Sequence, residues 1–213
     1  MLESLKQKVV SLLRKLPENQ LVCATAGNIS ARDADSGLIV IKPSGVPYEE
    51  LETDKMVVVD KNGNIIEGKL KPSSDTESHL YIYKNLKTIN GIVHTHSPFA
   101  TAFSAAEKSI PVLFAETAEE FGAEIPITEF VLIGNEEIGK QVLKYGSKTN
   151  AVILRKHGVF TMGVTPEKAV ELAILTENSA HIAWLSITLG GTSPLSDSEI
   201  KKLYYRQQNI YGQ

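Results

Sequence analysis

The 213-residue chain, 42% hydrophobic and 22% charged, is long enough to enclose one full core with a cleft, and its composition is that of an ordinary globular domain. A net charge of −3 gives no footprint for nucleic acid or an anionic membrane surface. Cys23 stands alone, which excludes an internal disulfide and suits a reducing compartment. With a charged N-terminal stretch and no apolar run approaching ~20 residues, the expectation is one soluble, cytoplasmic domain over residues 1–213.

Leu2, Leu5, Val9, Leu12, Leu13 and Leu16 recur at helical spacing and predict a helix that Pro17 ends. LVCAT and GLIVIK, residues 21–25 and 37–42, read as short strands, and the intervening GNISARDADSG is rich in turn formers. MVVVD and IIEGK flank Lys61-Asn62-Gly63-Asn64, an Asn-Gly hairpin signal. A helix is expected from about Asp75, followed by a strand at GIVHTH and a helix from Pro98. PVLFAET reads as a strand, residues 135–147 as a helix, and AVILRKHG and VFTMGV as strands. A long helix runs from about Pro166 to Leu189, with Thr165 as N-cap and proline at the first helical position. A last helix leads into the tail LYYRQQNIYGQ. Several adjacent strands lack a helix between them, so the pattern fits a layered α/β domain with a largely antiparallel or mixed sheet better than a doubly wound parallel one.

In a strand, residues i and i+2 share a face, so His94 and His96 project together. Such a pair can chelate a divalent metal, or simply be two polar residues at the mouth of a sheet. His157 ends another apolar strand just before Gly158 and is a candidate third ligand; three histidines leave a metal with open positions. In KPSSDTESH, Ser74 and Glu77 fit a capping box with Asp75 in the dipole-favoured first turn. Asp75 could also reach a metal, and His79, one turn on along the same face, is a rival ligand by spacing. GNIS and KPSG, residues 27–30 and 42–45, are explained as turns. Gly27, Asn28, Ser44, Gly45, Ser73 and Ser74 together would nonetheless offer backbone, hydroxyl and amide donors to an anionic substrate, and Lys42 would add charge. Neither G-x-x-x-x-G-K nor G-x-G-x-x-G occurs, so nucleotide binding has no support. His181, four residues after Glu177 on a helix, reads as structural.

TAGNISARD, VIKPSGVPY, MVVVD, EGKLKPSSDTESH, GIVHTHSPFAT, SIPV, IPIT, LRKHGVFTMG and the terminal YGQ, in that order, resemble the class II aldolase/adducin superfamily, and within it the L-ribulose-5-phosphate 4-epimerases. The resemblance implies a three-layer α/β/α fold with a mainly antiparallel sheet, and a C4 homotetramer whose active sites lie between adjacent subunits. It implies His94, His96 and His157 as metal ligands, with Asp75 at the acidic position after the paired serines as a further ligand and catalytic residue. Aldolases of the superfamily usually carry glutamate there, often as SSEW, so SSDT favours the epimerase. Gly27, Asn28, Ser44, Gly45, Ser73 and Ser74 match substrate-binding positions, Lys42 matches an element of the same motif, and Tyr211 matches the epimerase's catalytic tyrosine. Registered on Ile125-Pro126, the epimerase's catalytic aspartate falls at Glu119, one methylene longer; a slip of register would put Glu116 or Glu120 there instead. The chain is also shorter than typical epimerases between Ile127 and Ala151.

The implied reaction is metal-dependent inversion at C4 of a phosphorylated ketose. The C3–C4 bond breaks in retro-aldol fashion, the two-carbon fragment turns over, and re-addition restores the bond. Zinc is the expected metal for an imidazole-rich set, with manganese or cobalt as substitutes. The alternatives are an L-fuculose-1-phosphate-type aldolase that releases the fragments, a dehydratase of phosphorylated ketoses, and a non-catalytic adducin-like binding module. The retained three histidines argue against the last.

Overall fold

The computed structural model describes residues 1–191 and 193–210. Short runs of valine, isoleucine and alanine become the strands β1 (Asn28–Arg32), β2 (Ile39–Ile41), β3 (Val57–Val59), β4 (Ile65–Glu67), β5 (Gly91–Thr95), β6 (Ala151–Ile153) and β7 (Val159–Gly163). They form one sheet in the order β4-β3-β2-β1-β5-β7-β6, and every ladder in it is antiparallel. The helices are α1 (Glu3–Glu18), α2 (Thr76–Asn85), α3 (Pro98–Ala105), α4 (Ala115–Phe121), α5 (Glu137–Gly146), α6 (Pro166–Thr188) and α7 (Asp197–Asn209).

Alternation along the strands sends side chains to two separate cores. Ile29, Val40, Val58 and Val93 face α1 and α6, where Val9, Leu13, Leu16, Ala169 and Ala173 cover them. Ile39, Ile41, Val57 and Ile92 face the opposite way, onto Leu80 and Ile82 of α2 and Ile138 and Val142 of α5. A third cluster gathers α3, α4 and α6 beside β6, around Phe103, Phe121, Ile153 and Leu172. The result is the expected three-layer α/β/α arrangement on a mainly antiparallel sheet. Thr165 caps α6 by accepting the Lys168 N–H at 3.2 Å, and Gly63, at φ +88°, turns the β3–β4 hairpin. No helix among the described residues is long and apolar enough to cross a membrane.

Four local expectations need correction. Residues 21–25 form no strand, because Gln20 and Ala24 adopt left-handed backbone (φ 58° and 52°) that a ladder does not accept. The first strand is instead NISAR, inside the stretch that reads as turn. PVLFAET is not a strand either: Pro111 lacks an N–H for a ladder, Ile110 makes only an isolated bridge to Ile125, and α4 begins at Ala115. Pro17 lies inside the last turn of α1, which ends one residue later. At the start of α2 the N-cap position is Asp75 and no side chain caps the helix, so the Ser74–Glu77 capping box does not form.

Candidate metal centre and substrate cleft

The strand register brings the histidines together. Asn28 stands opposite His94 on β5, and His94 stands opposite Phe160 on β7, so the C-terminal end of β5 lies beside the β6–β7 turn that carries His157. That turn closes through Leu154 N–H to Gly158 O at 2.7 Å. Ser104 of α3 pins it, accepting the His157 N–H at 3.0 Å and donating to Leu154 O at 2.6 Å. Glycine is required at 158: a Cβ there would lie 2.3 Å from Thr95 O and 2.9 Å from the His96 ring.

One ring nitrogen from each of His94, His96 and His157 lies within 4.8 Å of the other two, and the Nε2 atoms of His94 and His96 are 3.0 Å apart. His94 Nδ1–H donates to Val159 O at 2.9 Å, which fixes the tautomer and leaves the Nε2 lone pair facing its neighbours. Burial holds all three rings neutral at pH 7: it lowers His94 to about 3, and it lowers His96 and His157 with His96 adding to the effect on His157. Three neutral imidazoles this close fit one cation at metal–nitrogen bonds of about 2.0–2.1 Å, with positions left open.

Asp75, also buried, stands beside this close set rather than within it. Asn28 Nδ2 donates to Asp75 Oδ2 at 2.7 Å, while Oδ1 is buried with no hydrogen-bond partner among the described residues. Burial acts to raise the Asp75 pKa, but the His94 and His79 rings, the Asn28 hydrogen bond and His157 outweigh it, and the carboxyl sits below its usual range. His79 does not join the set. Its Nδ1 lies 2.7 Å from Ser30 Oγ beneath the cleft, and burial lowers its pKa to about 4, so it is a neutral interior histidine.

The three imidazoles form one wall of a cleft of about 280 Å³. Gly27 and Asn28 before and at the start of β1, Ser44 and Gly45 after β2, and Ser73 and Ser74 before α2 line the rest. Gly27 (φ +77°) is needed twice over, since a Cβ would also lie 2.6 Å from Val22 Cγ1. Lys42 lines the same cleft at 2% exposure; among the described residues its Nζ reaches only the carbonyls of Thr25 (3.1 Å) and Pro43 (3.5 Å) and the Tyr48 ring (5.1 Å), and burial lowers its pKa. No carboxylate forms an ion pair with this buried ammonium among the described residues, which leaves it a cation that can pair with an anionic group in the cleft. A larger cavity of about 340 Å³ between α4 and α7 carries no comparable convergence of ligands.

Glu119 is not part of this cleft. Its helix packs against α6 and α7, and the next residue, Glu120, shares a cavity with Asn150 and Gly163, at the ends of β6 and β7 remote from His157. Glu116 accepts from Asn178 at 3.1 Å, and Glu120 pairs with Lys168 at 2.7 Å and accepts from Gln207 at 3.1 Å. Glu119 alone of the three has no side-chain partner among the described residues. Tyr211 lies outside the described residues. His181 stacks on Phe99 with ring centroids 3.8 Å apart, while Glu177 accepts the N–H groups of Phe99 and Ala100 at 2.8 and 2.9 Å and so caps α3. Sequence reading missed Tyr48, whose hydroxyl holds Ala26 O at 2.8 Å under the glycine loop, as well as Ser104 and the rim residue Ile133. Only Tyr48 carried a signal, as the last residue of VIKPSGVPY.

Residues 7–184 match the family model described as the Class II Aldolase and Adducin N-terminal domain. The chain belongs to this family. This class II aldolase-family chain is 37% identical, over 229 aligned positions covering 100% of both sequences, to L-ribulose-5-phosphate 4-epimerase UlaF of Salmonella paratyphi A, and equally to that of Salmonella typhi. Among solved structures it resembles an L-fuculose 1-phosphate aldolase with a TM-score of 0.91 and 28% identity over 95% of each chain. An L-fuculose-1-phosphate aldolase from Thermus thermophilus gives 0.74 and 27%, over 88% of this chain and 96% of that one.

Proposed function

We propose that this family member interconverts L-ribulose 5-phosphate and D-xylulose 5-phosphate by cleaving and re-forming the C3–C4 bond. The observation that carries the reading is the placing of three neutral imidazoles and a buried, carboxylate-free Lys42 in one cleft, which suits a cation-dependent reaction on an anionic sugar. The full-length match to named 4-epimerases, and aspartate rather than glutamate at 75, favour inversion over release.

His94, His96 and His157, with Asp75 as a fourth ligand, would hold a divalent cation: zinc, with manganese or cobalt as substitutes. Bound there, the cation supplies Lewis acidity that stabilises negative charge as the carbon–carbon bond opens. Gly27, Asn28, Ser44, Gly45, Ser73 and Ser74 retain the phosphate of the two-carbon fragment while its aldehyde turns over, and Lys42 balances the phosphate charge. The C4 hydroxyl loses a proton on one face and regains one on the other, so two acid/base groups are needed. We assign them to Glu119 and Tyr211. Glu119 is on α4, away from its own cleft, and α4 packs on α7, the helix that Tyr211 follows in sequence. This arrangement suits a homotetramer in which α4 and the tail of one subunit serve the cleft of the next. The lone Cys23 suits a cytoplasmic enzyme.

A second reading, an aldolase that lets both fragments go, is favoured by the structural likeness at a TM-score of 0.91. Offering L-ribulose 5-phosphate and L-fuculose 1-phosphate in parallel separates the two. Formation of D-xylulose 5-phosphate is expected; cleavage of L-fuculose 1-phosphate without that product would overturn the epimerase reading.

A further inference from the structure

β1 turns Asn28, Ser30 and Arg32 toward α2, because alternate residues of a strand share a face. Each takes hold of the helix one stage further along. Asn28 donates to the Asp75 carboxylate at 2.7 Å. One helical turn on, Ser30 Oγ lies 2.7 Å from His79 Nδ1, and a turn beyond that the Tyr83 hydroxyl lies 2.9 Å from Ser30 Oγ and donates to Ser30 O at 3.0 Å. Arg32 then covers the end of α2, donating to the carbonyls of Tyr83 (2.8 Å), Leu86 (3.2 Å) and Lys87 (2.7 Å). The repeats match: two strand residues advance about 6.6 Å and four helical residues about 6 Å. Side chains at 28, 30 and 32 therefore meet 75, 79, 83 and the last carbonyls in step.

The Tyr83 hydroxyl donates to Ser30 O, and Ser30 Oγ is shared between the Tyr83 hydroxyl and His79 Nδ1, linking the two side chains of α2 through one strand residue. The His79 ring is fixed by that bond and by its edge contact with Phe160 (centroids 5.3 Å), whose ring lies 4.7 Å from that of His94. Asn28, Ser30, Asp75, His79 and Tyr83 are all buried, beside the apolar cluster that α2 shares with the sheet. Three of the row's buried polar atoms have no hydrogen-bond partner among the described residues: Asn28 Oδ1 and Asp75 Oδ1, both on residues lining the cleft, and His79 Nε2 further along.

We propose that this polar row is a positioning device, in which Ser30, His79, Tyr83 and Arg32 fix α2 against β1 so that Asp75 Oδ1 is presented to the imidazole set. These four residues act on the metal centre through Asp75 without touching it. The inference rests on the proposed function, in which Asp75 is a ligand.

The test compares full-length wild type, Ser30→Ala, His79→Leu, His79→Asn and Arg32→Lys. Each is stripped of metal and titrated with zinc by calorimetry, then assayed for kcat and KM. Ser30→Ala and His79→Leu are expected to weaken zinc binding about 10- to 100-fold, the usual effect of losing a partner behind a ligand, and to lower kcat with KM unchanged. His79→Asn, whose amide can bond Ser30 Oγ in place of Nδ1 as either donor or acceptor, is expected to recover most of both. Arg32→Lys, at the solvent end of the row, keeps the fold and is expected to lose zinc affinity by a smaller factor. Wild-type zinc affinity in the folded variants, or His79→Asn no better than His79→Leu, would overturn this inference alone. A wild-type protein without zinc affinity would overturn the proposed function and this inference with it.

Discussion

At His94 one ring nitrogen donates to Val159 O and the other faces His96, so the ring is oriented before any ion arrives. His96 is half-exposed and easier to change without disturbing the core. His96→Ala is expected to weaken zinc binding by more than about 100-fold, beyond the loss typical of an indirect partner; calorimetry on the stripped protein reads this directly, and an unchanged affinity would mean the ligands are misassigned. Lys42 sits in the anion half of the cleft. Lys42→Met removes a charge-assisted contact of about 1.5–3 kcal/mol, so KM for the sugar phosphate is expected to rise about 10- to 100-fold while zinc affinity holds. A KM at the wild-type value would take Lys42 out of substrate binding. Sequence spacing made His94 and His96 legible as a pair, since alternation in a strand is a local rule. His157 was named as third ligand from its place at a strand end and from the resemblance, and the register of β5 and β7 is what brings it to the pair; Ser104 was invisible because its two side-chain hydrogen bonds exist only in the folded chain.

Elements show the same division between local and distant causes. α6, with Thr165 and Pro166 at its start, and the Asn-Gly hairpin were readable because capping and turn chemistry are local. β1 was not. Its polar residues Asn28 and Ser30 are buried against α2 and Arg32 is half-buried over the end of that helix, so the strand looks like a turn to any rule that sends polar groups outward. α7 has no buried residue and lies on α4 with the Tyr204 ring over Gly122. A Cβ at Gly122 (φ +65°) would come within 2.8 Å of that ring. Gly122→Ala is therefore expected to loosen α7 and the tail after it, lowering kcat while zinc content and KM stay at wild-type values. Full kcat with a displaced α7, read by the exposure of Tyr204 to solvent, would remove the tail from the mechanism.

At the scale of the whole molecule, the cleft and Glu119 lie on different parts of one chain, and large apolar side chains remain exposed: Trp184, Ile187 and Leu189 around the end of α6, and Phe130, Leu132 and Ile133 in the segment before α5, the last of them at the cleft. Such patches suit subunit contacts. If neighbouring subunits complete each other's sites, His96→Ala and Glu119→Gln, each inactive, should complement one another when refolded together. Random assembly gives each site an intact cleft and an intact neighbour about a quarter of the time, so activity near that fraction is expected, and none at all would confine catalysis to single subunits. Beneath every one of these expectations is a single cation held by imidazoles from β5 and the β6–β7 turn. Anomalous diffraction at the zinc edge from crystals of the zinc-loaded protein tests it most directly. One strong peak within bonding distance of His94, His96 and His157 is expected, and a zinc-loaded crystal whose peak lies elsewhere, or touches only one of the three rings, would contradict it.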